Sequence, residues 1–380
     1  MRLLMVSGDR QVAVGDKGPF HTMQEEFSRY FERIDVLTPR PDRPVCVESI
    51  HDNVFFHPAD CGRRKMVSYI RRRGEQLVKE HGHSLIVSHD YGWFYNGFGS
   101  AALSRATGVP YLSEIHHVPG VPVAADLREL IDRRVARAYV QRAKKRALGF
   151  RVVNSTEMPE LLGRWGVPPE QIHVLHSLYI DLENFKPSES ERPEFDQDVV
   201  FVGRMVGNKG LPRIVDALAL LAEQGRETTA LFLGRGPLRG ATEARARKRG
   251  IQDKVRFLDW VETQEDLANV YRRSRVCVCA STCEGGPRVT IEAMACGVPS
   301  VSTPVGIMPE VLREGENGAS ADFNAQSLAR ALGRVLEDEE ARLRMGRAAR
   351  ETAEQFEYGR VIGEYAVGLG RLVGEELVRA

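Results

Sequence analysis

The sequence predicts an α/β protein made of two doubly wound units in tandem. Three observations carry that reading. Short apolar, β-rich runs recur along the chain with helical patterns between them, as in parallel sheets covered on both faces. The series is interrupted near Pro187 by a polar, acidic, proline-containing stretch (PSESERPEFDQD, residues 187–198), which reads as a linker, and then begins again. A length of 380 residues accommodates about two or three domains at roughly 100–200 residues each. The expected division is residues 1–187, rejoined by a C-terminal helix at about 360–380, and residues 188–359.

In the first series the strand-like runs are residues 3–6, 34–37, 53–56, 85–87, 111–115 and 150–153, with helical patterns at 23–31 and 126–148. In the second they are residues 199–202, 230–233, 255–258, 276–279 and 299–302, followed by a helical, partly amphipathic tail at 341–378. Ligands of such sheets bind beyond the carboxyl ends of the strands, so the loops there are where chemistry is sought.

Composition narrows the function classes. Net charge is +1, which points away from nucleic acid as a partner, and any charged partner must be met by a local patch. The chain starts with Met1-Arg2 directly before a strand-like run, unlike a secretory signal, and no apolar run approaches the ~20 residues that span a bilayer. A cytoplasmic protein with reduced thiols is expected. Of its six cysteines, Cys277, Cys279 and Cys283 are close in sequence, but 276–279 reads as a strand with alternating faces. No CxxC pair or neighbouring histidine completes a zinc set, so no metal site is expected.

Two elements carry the signature of phosphate binding. The run Val200-Phe201-Val202-Gly203-Arg204 is a strand ending in glycine, followed by Lys209-Gly210 and a helix near Leu211. Gly203 permits close backbone approach, Arg204 offers a forked contact to a diphosphate and Lys209 a point charge. The bland alternative is two surface cations in a βα loop. The second element is the turn Ser281-Thr282-Cys283-Glu284-Gly285-Gly286-Pro287-Arg288, opening a helix that Gly297 closes. Glycines before a helix N-terminus expose N–H groups that favour an anion. Glu292, one turn into that helix, can accept from two vicinal hydroxyls such as those of a ribose, and Glu284 flanks the same turn. Turns at Ser302-Thr303-Pro304-Val305-Gly306 and Gly234-Arg235-Gly236-Pro237 are of similar kind, but no GxGxxG is complete, which disfavours a NAD enzyme.

Together these residues resemble the retaining glycosyltransferases of family 4. Glu284 and Glu292, with seven residues between them, match the family's spaced glutamate pair, and residues 292–299 (EAMACGVP) match its helix and exit turn. Residues 201–204 with Lys209-Gly210 match its diphosphate loop, residues 259–271 its base-side segment, Ser113-Glu114-Ile115-His116 its strand ending in histidine, and Ser88-His89-Asp90 the preceding strand end. The resemblance implies the GT-B fold, two Rossmann-like domains facing a central cleft. It implies transfer of a hexose-type sugar from a nucleoside-diphosphate sugar, UDP or GDP, with retention and no metal or other cofactor. The acceptor would be a glycan, a lipid-linked molecule or a small molecule. Arg204 and Lys209 would stabilise the leaving diphosphate with the backbone at Gly203, Gly285, Gly286, Arg288 and Val289. Glu292 would hold the ribose, Glu284 the sugar hydroxyls, and His116 the sugar or its phosphate. Gly18, in the altered glycine loop Gly15-Asp16-Lys17-Gly18-Pro19-Phe20, would help shape the pocket.

There are departures. Pro287 stands in the family's Gly-Phe-Gly turn and lacks an N–H, and residues 177–181 (SLYID) replace the usual Asn-Gly turn ahead of the linker. The triplet Asp196-Gln197-Asp198 looks like a metal-binding DxD but precedes a strand, and reads as a solvated run. A sugar-nucleotide epimerase and a non-catalytic nucleotide-sugar binder stay open as alternatives. The cluster Arg133, Arg134, Arg137, Arg142, Lys144, Lys145 and Arg146, with Arg71-Arg72-Arg73, suggests peripheral contact with an anionic membrane against the simpler reading of a solvated face.

Overall fold

A computed structural model describes residues 1–188 and 194–379, so the expected linker falls partly outside the described residues. The chain forms two compact units. The first comprises Met1–Val118, Ile131–Ser177 and Gly359–Ala380, the second Pro119–Leu130 and Leu178–Tyr358. This division differs from the one expected at residues 187/188, and the reason is packing. Leu178, Ile180 and Phe185 are buried in the core of the second unit with Val200 and Val202. The Ile180 N–H also donates to the Phe356 carbonyl at 2.7 Å. Within Pro119–Leu130, the Val123 N–H donates to the Thr282 carbonyl at 3.4 Å.

The first unit carries strands β1 (Arg2–Val6), β2 (Arg33–Thr38), β3 (Ser49–Ile50), β4 (Val54–Pro58), β5 (Leu85–His89), β6 (Tyr111–Glu114), β7 (Gly149–Val152) and β8 (Ile172–Val174). They form one sheet in the order β3-β4-β2-β1-β5-β6-β7-β8. All neighbours pair in parallel except β3 with β4. The second unit carries β9 (Gln197–Val202), β10 (Ala230–Leu233), β11 (Val255–Leu258), β12 (Ser274–Cys279), β13 (Ser300–Ser302) and β14 (Gly318–Ser320), all parallel, in the order β11-β10-β9-β12-β13-β14. Numbered within that unit, the order is 3-2-1-4-5-6, and the topology reverses between β9 and β12.

The period of two along β9 sorts its side chains onto two cores. Val199 and Phe201 pack with the helices Leu211–Glu223 and Ala325–Glu337. Val200 and Val202 pack with Gln264–Arg272, Arg288–Ala295 and Glu339–Glu354. Helices therefore cover both faces of the sheet, which is why its strands read as continuous apolar runs. In the first unit Leu4 and Val6 of β1 pack with Ile70 and Leu77 of the helix Met66–His81.

Several local expectations are corrected. The helix expected at 23–31 is Pro19–Phe27, entered through Gly18 with Pro19 at its first position, where a missing N–H costs nothing. The helix expected at 126–148 is Leu127–Ala143. The helical tail consists of two helices, Glu339–Glu354 and Tyr358–Leu372. Asp196-Gln197-Asp198 is solvated only in part, at Asp196. Gln197 is buried at the start of β9 and donates to Ser274 Oγ at 2.7 Å, Asp196 pairs with Arg273, and Asp198 accepts from Thr229. No helix among the described residues is long and apolar enough to cross a membrane.

Candidate active site

The loops after β9 and β12 leave neighbouring strands at the point where the strand order reverses, and their helices go to opposite faces. This opens a crevice at the carboxyl end of the sheet. Gly203 opens the first loop with φ +147°, and a Cβ there would meet nothing closer than Phe201 Cζ at 3.6 Å and Lys209 Cε at 3.9 Å. Gly210 closes it with φ +67°, and its Cα lies so near the end of β12 that a Cβ would stand 2.0 Å from the Ala280 carbonyl oxygen. Only glycine serves there, both for its left-handed backbone and for its missing side chain. The two loops are joined by hydrogen bonds. Asn208 Nδ2 donates to the Cys283 carbonyl at 3.1 Å, and the Thr282 N–H donates to the Asn208 carbonyl at 2.8 Å.

This junction brings Lys209 and Glu284 together as an ion pair, with Ser281 Oγ donating to the same carboxylate at 2.9 Å. Sequence reading assigned these two residues separate ligand contacts. Arg204, one residue past Gly203, is exposed and has no ion-pair partner among the described residues. Among the described residues one guanidinium of this loop thus has no ion-pair partner, while the ammonium of Lys209 is held in place by Glu284.

The helix Arg288–Ala295 begins after Pro287, which takes the cap position with φ −70°. The N–H that proline lacks precedes the helical N–H groups, so those of Arg288 and Val289 still have no carbonyl to bind within the helix. Gly286 packs on Leu178: a Cβ at Gly286 would lie 2.8 Å from Leu178 Cδ1. The Arg288 guanidinium lies 4.5 Å above the Tyr179 ring. The SLYID segment therefore acts as a support for this turn, a role that its sequence did not announce. Glu292 is 6% exposed and accepts a hydrogen bond from the buried Tyr271 hydroxyl at 3.1 Å. Burial raises its pKa above the usual carboxylate value, against the opposing pull of Arg288 and the Tyr271 hydrogen bond.

In the first unit the strand order reverses between β1 and β5. Gly18 lies in the loop leaving β1, as the extended residue that caps Pro19–Phe27. His116 stands just past β6 with its side chain 46% exposed, and its Nε2 lies 3.3 Å from Arg151 Nη1 and 3.8 Å from Glu114 Oε2. Glu114 is buried among Arg151 at 3.2 Å, His89 at 3.1 Å and the Tyr365 hydroxyl. Arg151 is 1% exposed, donates to the Leu175 carbonyl at 2.7 Å and lies 3.9 Å over the Tyr365 ring. A buried ion costs several kcal/mol unless paired, so Glu114 and Arg151 stand or fall together. The ions around Glu114 hold its carboxyl well below the usual range, although burial opposes them. Burial lowers the His89 pKa to about 4. Beside them Asp90 accepts from Ser88 at 2.7 Å, Ser113 at 2.5 Å and Tyr139 at 2.7 Å, and burial raises its pKa to about 7. His116 is therefore an exposed imidazole resting on a buried, oriented charge network.

Sequence reading missed Arg151, Tyr365, Tyr139 and Tyr271, which hold the motif residues from behind. They lie on other strands and helices, and a single Arg or Tyr in an apolar run looks like core or surface. The one available signal was Arg151 itself, a charge inside the strand-like run 150–153.

Two family models match the chain in succession: a "Glycosyl transferase 4-like domain" over residues 20–177, and "Glycosyl transferases group 1" over residues 183–352. The chain belongs to the group 1 glycosyltransferases. It is accordingly an enzyme of the sugar-transferring class, in two Rossmann-like α/β domains of the GT-B fold. It is similar to a D-inositol 3-phosphate glycosyltransferase of Salinispora tropica, 28% identical over 80% of this chain and 67% of that one. It is also similar to an alpha-D-kanosaminyltransferase of Streptomyces kanamyceticus, 26% identical over 80% and 81%. A further relative, the D-inositol 3-phosphate glycosyltransferase of Corynebacterium glutamicum, is 31% identical, but this glycosyltransferase spans only about half of it, 52%. Among solved structures, sucrose-phosphate synthase of Thermosynechococcus elongatus shares the fold at 23% identity, 98% of each chain and a TM-score of 0.76. HepE of Anabaena, solved in complex with UDP-glucose, does so at 19% identity, 98% and 100% coverage and a TM-score of 0.74.

Proposed function

We propose that this glycosyltransferase moves a hexose-type sugar from a nucleoside-diphosphate sugar to an acceptor, with retention at the anomeric carbon and without a metal ion. The observation that supports this best is the crevice between β9 and β12. Around the open side of Gly203 it sets Arg204, which has no ion-pair partner among the described residues, a Glu284-held Lys209 and the N–H groups of Arg288 and Val289 that open a helix. Departure of a nucleoside diphosphate develops negative charge, and fixed donors aimed at that charge stabilise the transition state. Here two cations and a helix N-terminus supply what a metal would otherwise supply.

The roles of the remaining residues follow from their chemistry. Glu292, a carboxylate fixed from below by Tyr271, accepts from the ribose hydroxyls. Glu284 presents its other oxygen to sugar hydroxyls while steadying Lys209. His116 contacts the sugar or its phosphate, and Gly18 lets the loop after β1 approach the bound molecules. The donor is a UDP- or GDP-sugar, a class consistent with the UDP-glucose held by HepE. A small-molecule acceptor is favoured over a glycan or lipid-linked one, because the similar protein of Salinispora tropica is named for D-inositol 3-phosphate.

The test is a thermal-shift screen with UDP, GDP, ADP and their sugars in the presence of EDTA, followed by turnover with D-inositol 3-phosphate. A ligand that binds only the folded state raises its melting temperature. Stabilisation by one nucleotide despite EDTA is expected. No stabilisation by any of them, from folded protein, would overturn the proposal.

A further inference from the structure

At the amino end of β6, away from the carboxyl ends that carry the site above, the first unit contains a cavity of about 400 Å³. One wall is the helix Tyr95–Thr107, which presents Phe98 and Arg105. The other is the helix Leu127–Ala143 and the turn after it, with Arg142, Lys145 and Arg146, and Tyr111 lies at its base. Three features distinguish this place from an ordinary basic surface.

Four cations converge on one cavity. None of Arg105, Arg142, Lys145 and Arg146 has an ion-pair partner among the described residues. By contrast, Lys144 in the same run donates to the Trp165 and Gly166 carbonyls at 3.2 Å and 3.0 Å. Arg142 makes one long bond, from Nη1 to the Ala138 carbonyl at 3.5 Å, and no carboxylate among the described residues neutralises the four cations of the cavity. Tyr111 is 1% exposed, and its hydroxyl has no hydrogen-bond partner among the described residues. Buried hydroxyls are almost always satisfied, so an orphan one lining a cationic cavity marks a missing acceptor. Finally, Phe98 and alanines of both helices give the cavity an apolar side beside its charged one.

We propose that this cavity binds a phosphate ester, separately from the donor. Arg105, Arg142, Lys145 and Arg146 surround the phosphate, the Tyr111 hydroxyl donates to one of its oxygens, and the apolar wall receives the adjoining carbons. Guanidinium groups suit this role because their forked N–H pairs match phosphate oxygens. A soluble phosphate ester and a phospholipid headgroup share this chemistry.

The experiment uses the full chain carrying Arg204→Ala, which removes a cation from the donor crevice. Glycerol 3-phosphate binding is measured by calorimetry, and co-sedimentation is measured with vesicles of phosphatidylglycerol and phosphatidylcholine. Binding to either is expected, and which one binds names the source. Adding Arg142→Ser and Arg146→Ser together should weaken it about tenfold or more, since hydrogen bonds to charged groups are the strong ones. Tyr111→Phe should weaken it about fivefold without lowering the melting temperature of the free protein, because the hydroxyl it removes has no partner there. Absence of binding to both probes overturns the proposal. So does binding that the double substitution leaves unchanged, because the phosphate would then sit elsewhere.

Discussion

Arg204 and Lys209 are both cations of one loop, and the structure separates their duties. The exposed Arg204 side chain makes no ion pair or hydrogen bond among the described residues, so its loss should be felt in chemistry alone. Arg204→Ala is expected to lower turnover by about 10²-fold or more, the cost of removing one charge-stabilising donor, with an unchanged melting temperature. Steady-state kinetics beside thermal denaturation checks this, and near-normal turnover would remove Arg204 from the mechanism. Lys209 cannot be tested so simply, since its removal strands Glu284. Glu292 presents the opposite case, a buried carboxylate that accepts a hydrogen bond from the Tyr271 phenol. Glu292→Gln keeps an acceptor for Tyr271 but halves the acceptor capacity left for a ribose. Weaker nucleotide binding is expected by calorimetry, and equal affinity would count against the ribose assignment. These residues were legible in the sequence because their types and spacing carry chemistry by themselves. Tyr271 was not, because its role exists only through the residue it touches.

At the scale of elements, the site depends on the loop after β9 lying against the end of β12. Gly210 permits that contact, and Gly207 in the same loop has open space around it. Gly210→Ala forces a left-handed backbone on alanine, at about 1–3 kcal/mol, and drives a methyl into the Ala280 carbonyl. It is expected to lower the melting temperature by several degrees and to cut activity by loosening the Lys209–Glu284 junction. Gly207→Ala should change the melting temperature little. Equal effects of the two substitutions in thermal denaturation would contradict the packing argument. The long buried strands were readable as apolar runs, whereas β3, β8 and β14, of two or three residues each, were not. Such short strands exist because a neighbour offers hydrogen bonds, so little local pattern precedes them.

For the molecule as a whole, stability against pH sets two neighbours in opposition. The raised Asp90 pKa, about 7 against 3.8, gives stability that is full below 3.8 and is lost as pH rises through 7. The lowered His89 pKa, about 4 against 6.5, gives stability that is full above 6.5 and is lost as pH falls through 4. In the shared window of about pH 4 to 6.5 the two slopes run against each other. Asp90→Asn removes the first and leaves the second. The melting-temperature gap between wild type and this variant should therefore widen as pH falls from 7 to 4. A gap that is constant or narrows would show that Asp90 is ionised throughout that range.

By itself the sequence determined the α/β class, most strands of both sheets, and the residues able to carry charge to a diphosphate. These follow from period, propensity and side-chain chemistry, which act within a few residues of each position. The tertiary structure alone decided where the units divide, because Leu178 and Ile180 look like any apolar pair until their core is known. It alone decided that Asp196-Gln197-Asp198 anchors a strand, that Lys209 meets Glu284, and that four cations share a cavity with an orphan hydroxyl. Each of these joins residues distant in sequence, and the strand order that brings them together has no local signature.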